Sequence, residues 1–195
     1  ATTEQIITSS LATADYLRTI APAGAGVYAI GEDGARRALE GQGFVLSDGV
    51  DDGAEYVVVG WDQDLSWRRL ATASLLIHNG AGFIGTNPDT SFPTERGPVP
   101  GNGAQLAALQ AATGVPPLVI GKPELGMFKE AMRRMGARAE TTAIVGDRLD
   151  SDIAGGIRAG IITILVLSGI ASQANLATSP VYPELVYADI AELLQ

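Results

Sequence analysis

The chain contains no cysteine and only one histidine, His78, in 195 residues. That excludes disulfides, thiolate zinc sites, cysteine nucleophiles and any centre that needs two imidazoles. A metal ion here would have to be held mainly by oxygen. Positive charge is also scarce: 13 Lys and Arg stand against 22 Asp and Glu, a formal charge of -9, and no basic cluster occurs. Nucleic acid is therefore not an expected partner, because phosphate backbones are held by grouped Lys and Arg. No apolar run approaches the length of a membrane span, and "ATTEQIITSS" lacks the basic and apolar regions of a secretory signal. The expectation is a cytoplasmic chain with no membrane contact. What the sequence does have is 46% hydrophobic and 18% charged residues, ample material for one core or two small ones.

Helix and strand patterns alternate along the whole length. Leu11, Ala14, Tyr16, Leu17 and Ile20 mark a helical face over residues 9–20, ended by the Pro22–Gly26 segment. "GVYAIG", "GFVLSD", "EYVVVGWD" and "GFIGTN" read as strands. Gly34–Glu40, "LSWRRLATASLLIHNG" and "GAQLAALQAATG" read as helices. Pro88, Pro93, Pro98 and Pro100 predict an irregular stretch between them. Further on, "PPLVIG" is a strand, and Pro123 falls where position N1 of the next helix is expected. That helix carries Met127, Phe128, Ala131, Met132 and Met135 on one side and ends at Gly136. "TTAIVG" and "IITILVLSG" read as buried strands around a helix "SDIAGGIRAG"; "ELVYAD" and "IAELLQ" supply a last strand and helix. Strands joined by crossover helices imply an α/β fold with a parallel sheet, whose ligands lie at the carboxyl ends of the strands. Lys122 and Asp147 both fall at such ends.

Several apparent motifs do not withstand a physical test. "GAGFIG", residues 80–85, has dinucleotide-type glycine spacing, but it follows a helix and opens a strand, the reverse of what pyrophosphate binding needs. A helix C-cap is the better reading. "VIGKPE" resembles the end of a phosphate loop, yet proline stands where Ser or Thr would bind magnesium and the upstream glycine is missing. His78 reads as a helix C-terminal cation or a packed side chain. Trp61, Trp67 and Phe83 read as core.

"IVGDRLDSDIAGG", residues 144–156, places three aspartates within six positions. Its plain reading is a helix start, with Asp150 or Ser151 as N-cap and acidic groups near the positive end of the helix dipole. Asp147 is not accounted for in that way, since it follows the strand and Gly146 before any helix begins. Magnesium takes one or two protein carboxylates, water and substrate phosphate, and Asp147 fits such a ligand. Asp152, one turn into the helix, could orient the metal's waters or bond the neighbouring loop. Gly155 and Gly156 each cost a helix interior ~1 kcal/mol relative to Ala, which suggests close helix-to-sheet packing. Lys122 offers a point charge for a phosphate, the alternative being an ordinary surface lysine.

"VIGKPELGMFKEAMRRMG" followed by "TAIVGDRLDSDIAGGIRAGIITILVLSG" resembles motifs III and IV of the haloacid dehalogenase superfamily. More narrowly, the chain is similar to its p-nitrophenyl phosphatase-like branch, with pyridoxal phosphate and phosphoglycolate phosphatases and a type II α/β cap. "ITSSLATADYL", "YVVVGWD" and "GFIGTNPDTSFPTERGPVPGNGAQLAALQAATG" resemble that cap, so the likeness spans nearly the whole chain. Leu125 departs from it, proline being usual after "GKPE". The resemblance implies a Rossmann-like parallel-sheet core, incomplete on its N-terminal side, over residues 117–195, and an inserted cap over residues 1–116. It implies Lys122 as the lysine that steadies nucleophile and phosphate, Asp147 as the Mg2+ ligand and Asp152 as an acidic companion that supports it. Asn87, Asp89, Thr90, Ser91 and Phe92 would form the cap loop that selects the leaving group of a small phosphorylated metabolite. Caps of this type pair in relatives, which implies a possible homodimer through the cap.

The family's nucleophile lies in a "DxDGT"-type motif, with a Thr or Ser motif following it before the cap. Neither pattern occurs here. Asp15 lies inside a predicted amphipathic helix, and Asp33 lacks a suitably placed second aspartate. Because "EQIITSSLATADYL" resembles the start of the cap, the expectation is that this chain is a piece of a longer phosphatase and is inactive by itself. An aspartyl-phosphate mechanism needs a carboxylate nucleophile, an acid–base aspartate and magnesium, and this sequence offers the metal and lysine part. The alternative is a catalytically inactive binding or interaction module made of cap and partial core.

Overall fold

A computed structural model describes residues 2–194. The chain divides into two compact units, the first running to Gly121 and the second starting at Lys122. Among the described residues no helix is long and apolar enough to cross a membrane.

The first unit opens with α1 (Ser9–Ile20), started by Thr8, whose hydroxyl accepts the Leu11 N–H at 3.2 Å. Ala12, Ala14 and Leu17 are its buried stripe. There follow β1 (Gly26–Ile30), α2 (Asp33–Gly41), β2 (Val45–Ser47), β3 (Tyr56–Val59), α3 (Trp67–His78), β4 (Gly82–Gly85), β5 (Ser91–Thr94), β6 (Gly97–Pro100), α4 (Asn102–Thr113) and β7 (Leu118–Val119). The five-stranded sheet has the order β2-β1-β3-β4-β7 and is parallel throughout. Such a sheet is covered on both faces, which is why Val57, Val58 and Val59 are all buried rather than alternating. Leu76, Ile77, Phe83, Leu106 and Leu109 pack with Val57 and Val59, each burial worth ~1.5–3 kcal/mol. The glycine run at residues 80–85 is a helix end entering a strand, as expected: Gly80 has φ +97° and β4 begins at Gly82.

The second unit contains α5 (Leu125–Met135), β8 (Ala143–Gly146), a π turn (Leu149–Ile153), α6 (Ala154–Ala159), β9 (Ile162–Val166), α7 (Gln173–Thr178) and β10 (Leu185–Tyr187). Its sheet has the order β10-β9-β8, again parallel. Ile153, Leu165 and Ala171 form its core. A Cβ on Gly156 would come within 2.6 Å of Ile144 and 2.7 Å of Thr163, so that glycine does set helix-to-sheet contact. Gly155 instead makes room for Phe128 of α5.

Several expectations are corrected. The proline-rich stretch is not irregular: β5 and β6 form an antiparallel hairpin with Pro93 opposite Pro98, which a two-stranded ribbon tolerates because its outer edges need no donors. Leu118–Val119 hydrogen-bonds to β4, so the units divide at 121/122 rather than 116/117. Lys122 therefore does not end a strand beside β8. Of the two strands expected to be buried in the second unit, β9 is, but β8 lies at the sheet edge and is partly exposed. Trp67 is 81% exposed at the start of α3 and Met135 is 62% exposed, whereas Phe83 is buried. Pro123 precedes the N-cap Glu124 instead of occupying N1. Neither Asp150 nor Ser151 caps a helix, because both lie within the π turn, and α6 begins only at Ala154. The terminal segment "IAELLQ" is a 3-10 turn over Ile190–Leu194, with Gln195 outside the described residues.

Candidate phosphate and metal site

β8 delivers Asp147 at its carboxyl end, and a short strap after β9 receives it. The Ile170 N–H donates to Asp147 Oδ2 at 2.8 Å, and the Ala171 N–H donates to the Asp147 carbonyl at 2.9 Å. Gly169 makes this possible, since a Cβ there would occupy the space of the Asp147 carboxylate. Asp147 Oδ1 carries no hydrogen bond among the described residues. A carboxylate with one oxygen tied and the other free is what a hard cation such as magnesium can use. No group of three or more His, Asp or Glu that could hold a metal occurs among the described residues.

Asp152 is only 4% exposed, yet both of its oxygens are used. Oδ1 accepts from Lys122 Nζ at 2.6 Å and Oδ2 from the Arg148 N–H at 3.1 Å. The π turn produces this geometry: its extra residue brings the Asp152 side chain back over Gly146, where a Cβ would overlap it. Asp152 thus fixes the lysine and the loop after Asp147. Arg158 of α6 pairs with both oxygens of Glu124 at 2.9 and 2.8 Å, and the arginine holds that carboxyl below its ordinary value. Arg148 makes a similar two-point pair with Asp150 at 3.1 and 2.8 Å, which lowers the Asp150 pKa. Arg148, Leu149, Asp150, Ile170, Ala171 and Asn175 line a cavity of about 210 Å³ next to the strap.

In the first unit, Asn87, Asp89, Thr90, Ser91 and Phe92 form one continuous loop and strand. The start of α4 holds it: Asn102, 1% exposed, donates from Nδ2 to the Asn87 carbonyl at 2.8 Å and to the Val59 carbonyl at 3.2 Å. The Gly103 N–H donates to the Asp89 carbonyl at 2.7 Å and the Gly101 N–H to the Thr90 carbonyl at 3.0 Å. Phe92 is 46% exposed and stacks on Trp61, ring centroids 4.8 Å apart. Beneath them the buried Asp62 pairs with Arg69 and accepts the Gly31 N–H at 3.1 Å. Lys122, Asp147 and Asp152 therefore belong to one constellation in the second unit, and the loop residues to another in the first.

Some participants leave little trace in the sequence. The strap Gly169–Ala171 was not anticipated, although a glycine soon after a buried strand is a usable signal. Trp61, expected in a core, instead meets the β5–β6 hairpin. Asn102 has no sequence signature, because its role depends on carbonyls brought together by folding.

The chain is thus a two-unit α/β protein whose second unit joins a lysine to the loop that carries two aspartates. Residues 119–193 match the family model described as HAD-hydrolase-like. Over 191 residues the chain is 41% identical to the acid sugar phosphatase of Staphylococcus aureus, covering 98% of this chain and 73% of that protein. Among solved structures, the p-nitrophenyl phosphatase of Archaeoglobus fulgidus is 33% identical with a TM-score of 0.94, covering 100% of this chain and 75% of that one. The glycerol phosphate phosphatase of Mycobacterium tuberculosis, solved in complex with magnesium, is 35% identical with a TM-score of 0.93, covering 99% of this chain and 59% of that one. The chain belongs to the haloacid dehalogenase superfamily, in its p-nitrophenyl phosphatase-like branch of phosphatases.

Proposed function

We propose that this chain is the cap and the C-terminal core portion of a magnesium-dependent phosphatase that hydrolyses small phosphomonoesters. The observation that carries the reading is Asp147, with one oxygen held by the Ile170 N–H and the other free, in the same unit as a lysine anchored on a buried carboxylate. Magnesium on Asp147 would neutralise charge on the phosphoryl oxygens. Lys122 supplies a cation whose direction is set by Asp152, so it need not reorganise when a phosphate arrives. The Arg148 N–H, held on Asp152, keeps the loop after Asp147 in register. The attacking carboxylate, which would form the aspartyl-phosphate, comes in this reading from an N-terminal "DxDGT"-type segment of the full-length protein. This reading also gives the present chain no turnover alone. Asn87–Phe92, with an exposed aromatic ring between polar groups, selects the leaving group.

The test is release of inorganic phosphate by the full-length protein from p-nitrophenyl phosphate and glycerol phosphate. Phosphate release is expected with magnesium, and Asp147→Ala is expected to reduce it by roughly 100-fold or more. Equal rates in both proteins would remove the metal assignment.

A further inference from the structure

The β5–β6 hairpin forms a sheet of its own, with no third strand among the described residues, and its residues are exposed apart from the half-buried Gly97. Isolated two-stranded hairpins are marginal in water. This one is further short of donors, since Pro93, Pro98 and Pro100 have no N–H. Trp61, placed just after β3, touches both strands: its ring stacks on Phe92 of β5, and its indole N–H donates to the Pro100 carbonyl of β6 at 3.1 Å. Trp61 is in turn fixed by its neighbour, because the Asp62 carbonyl accepts from Gln105 of α4 at 2.8 Å and the Asp62 carboxylate is buried on Arg69. The rigid sheet thus reaches both strands of the hairpin through one indole ring.

We propose that Trp61 is a positioning residue that sets the β5–β6 hairpin, and through it the leaving-group preference of the enzyme. The second half of this statement rests on the reading that Asn87–Phe92 selects the leaving group; the first half does not.

The hairpin turn contains an exposed trypsin site, Arg96, so anchoring can be read without turnover. In the folded full-length protein, cleavage after Arg96 is expected to be roughly tenfold faster in Trp61→Ala, because one stack and one hydrogen bond no longer oppose local opening. Trp61→Phe, which keeps a ring but no donor, is expected to fall between. Trp67→Phe, at the exposed Trp67, should match wild type. With esters, Trp61→Ala is expected to raise KM for an aryl phosphate roughly tenfold relative to a small alkyl phosphate, with kcat little changed and Trp61→Phe recovering much of the difference. Unchanged cleavage in Trp61→Ala, or equal acceleration at Arg133 of α5, overturns the anchoring. Accelerated cleavage with an unchanged KM ratio overturns the link to preference. Accelerated cleavage at Arg96 in a protein whose wild type hydrolyses no ester supports the anchoring and removes the phosphatase reading.

Discussion

The Lys122–Asp152 pair gives the most direct energetic prediction. Asp152 is 4% exposed and its Oδ1 depends on Lys122 at 2.6 Å. Lys122→Met would leave a buried carboxylate with the Arg148 N–H as its remaining donor. Breaking a fully buried pair by removing one partner costs ~3–5 kcal/mol. The lysine side chain is 38% exposed, so water can reach its position, which brings the expected loss to about 1–3 kcal/mol after screening. Asp152→Asn removes the charge and keeps an acceptor, and should cost less. The double variant should then cost clearly less than the sum, with a coupling of about 1–2 kcal/mol. Urea unfolding, followed by a probe in the second unit and with m-values compared, measures all three. A coupling below about 0.3 kcal/mol would refute the reasoning: Lys122 would then be an ordinary surface lysine, and its charge would not be prepared for a phosphate.

Three further outcomes are expected. Gly169→Ala should weaken magnesium binding by roughly 10–100-fold, since a Cβ there displaces the Asp147 carboxylate; calorimetric titration with magnesium alone measures this, and unchanged affinity would show that the strap does not set the ligand. Leu109→Ala, at a residue 1% exposed, should lower stability by about 2–5 kcal/mol through the cavity it leaves, read by chemical unfolding; a change under about 1 kcal/mol would mean the α4 face is not core. Glu124 has a folded pKa lowered first by the Arg158 hydrogen bond, below its ordinary 4.5. Its contribution is therefore present above pH 4.5 and lost as pH falls through the folded value, so wild type should lose slightly more stability than Glu124→Gln between about pH 6 and about pH 3; parallel curves would contradict the pairing.

Much of the fold was legible because its signals are local. The helical spacing of Leu11, Ala14 and Leu17 marked α1, and the valines of "EYVVVGWD" marked a strand buried on both faces. The place of Asp147 was legible for the same reason: a strand pattern ending at Gly146 puts the next carboxylate at the strand's carboxyl end, where β8 delivers it. What escaped depends on tertiary contacts. Prolines at 93, 98 and 100 suggested irregularity, but a hairpin held from outside by Trp61 can do without those donors. The aspartates at 150 and 152 suggested a helix start; the π turn instead turns Asp152 inward to Lys122 and leaves Asp150 to Arg148. Composition could not reveal that Trp61 faces a hairpin while Trp67 faces solvent, since both flank short turns. The residues that support the site, Gly169 and Asn102, act through what they allow to approach, which no single-residue pattern records.

The central claim is that Asp147 holds a magnesium ion needed for phosphate-ester hydrolysis. The most direct measurement is magnesium titration of the full-length protein and of Asp147→Asn, following both heat of binding and phosphate release from p-nitrophenyl phosphate. Saturable magnesium binding and magnesium-dependent turnover are predicted in wild type, with both lost in the variant. Equal binding and equal turnover in the two proteins would contradict the claim.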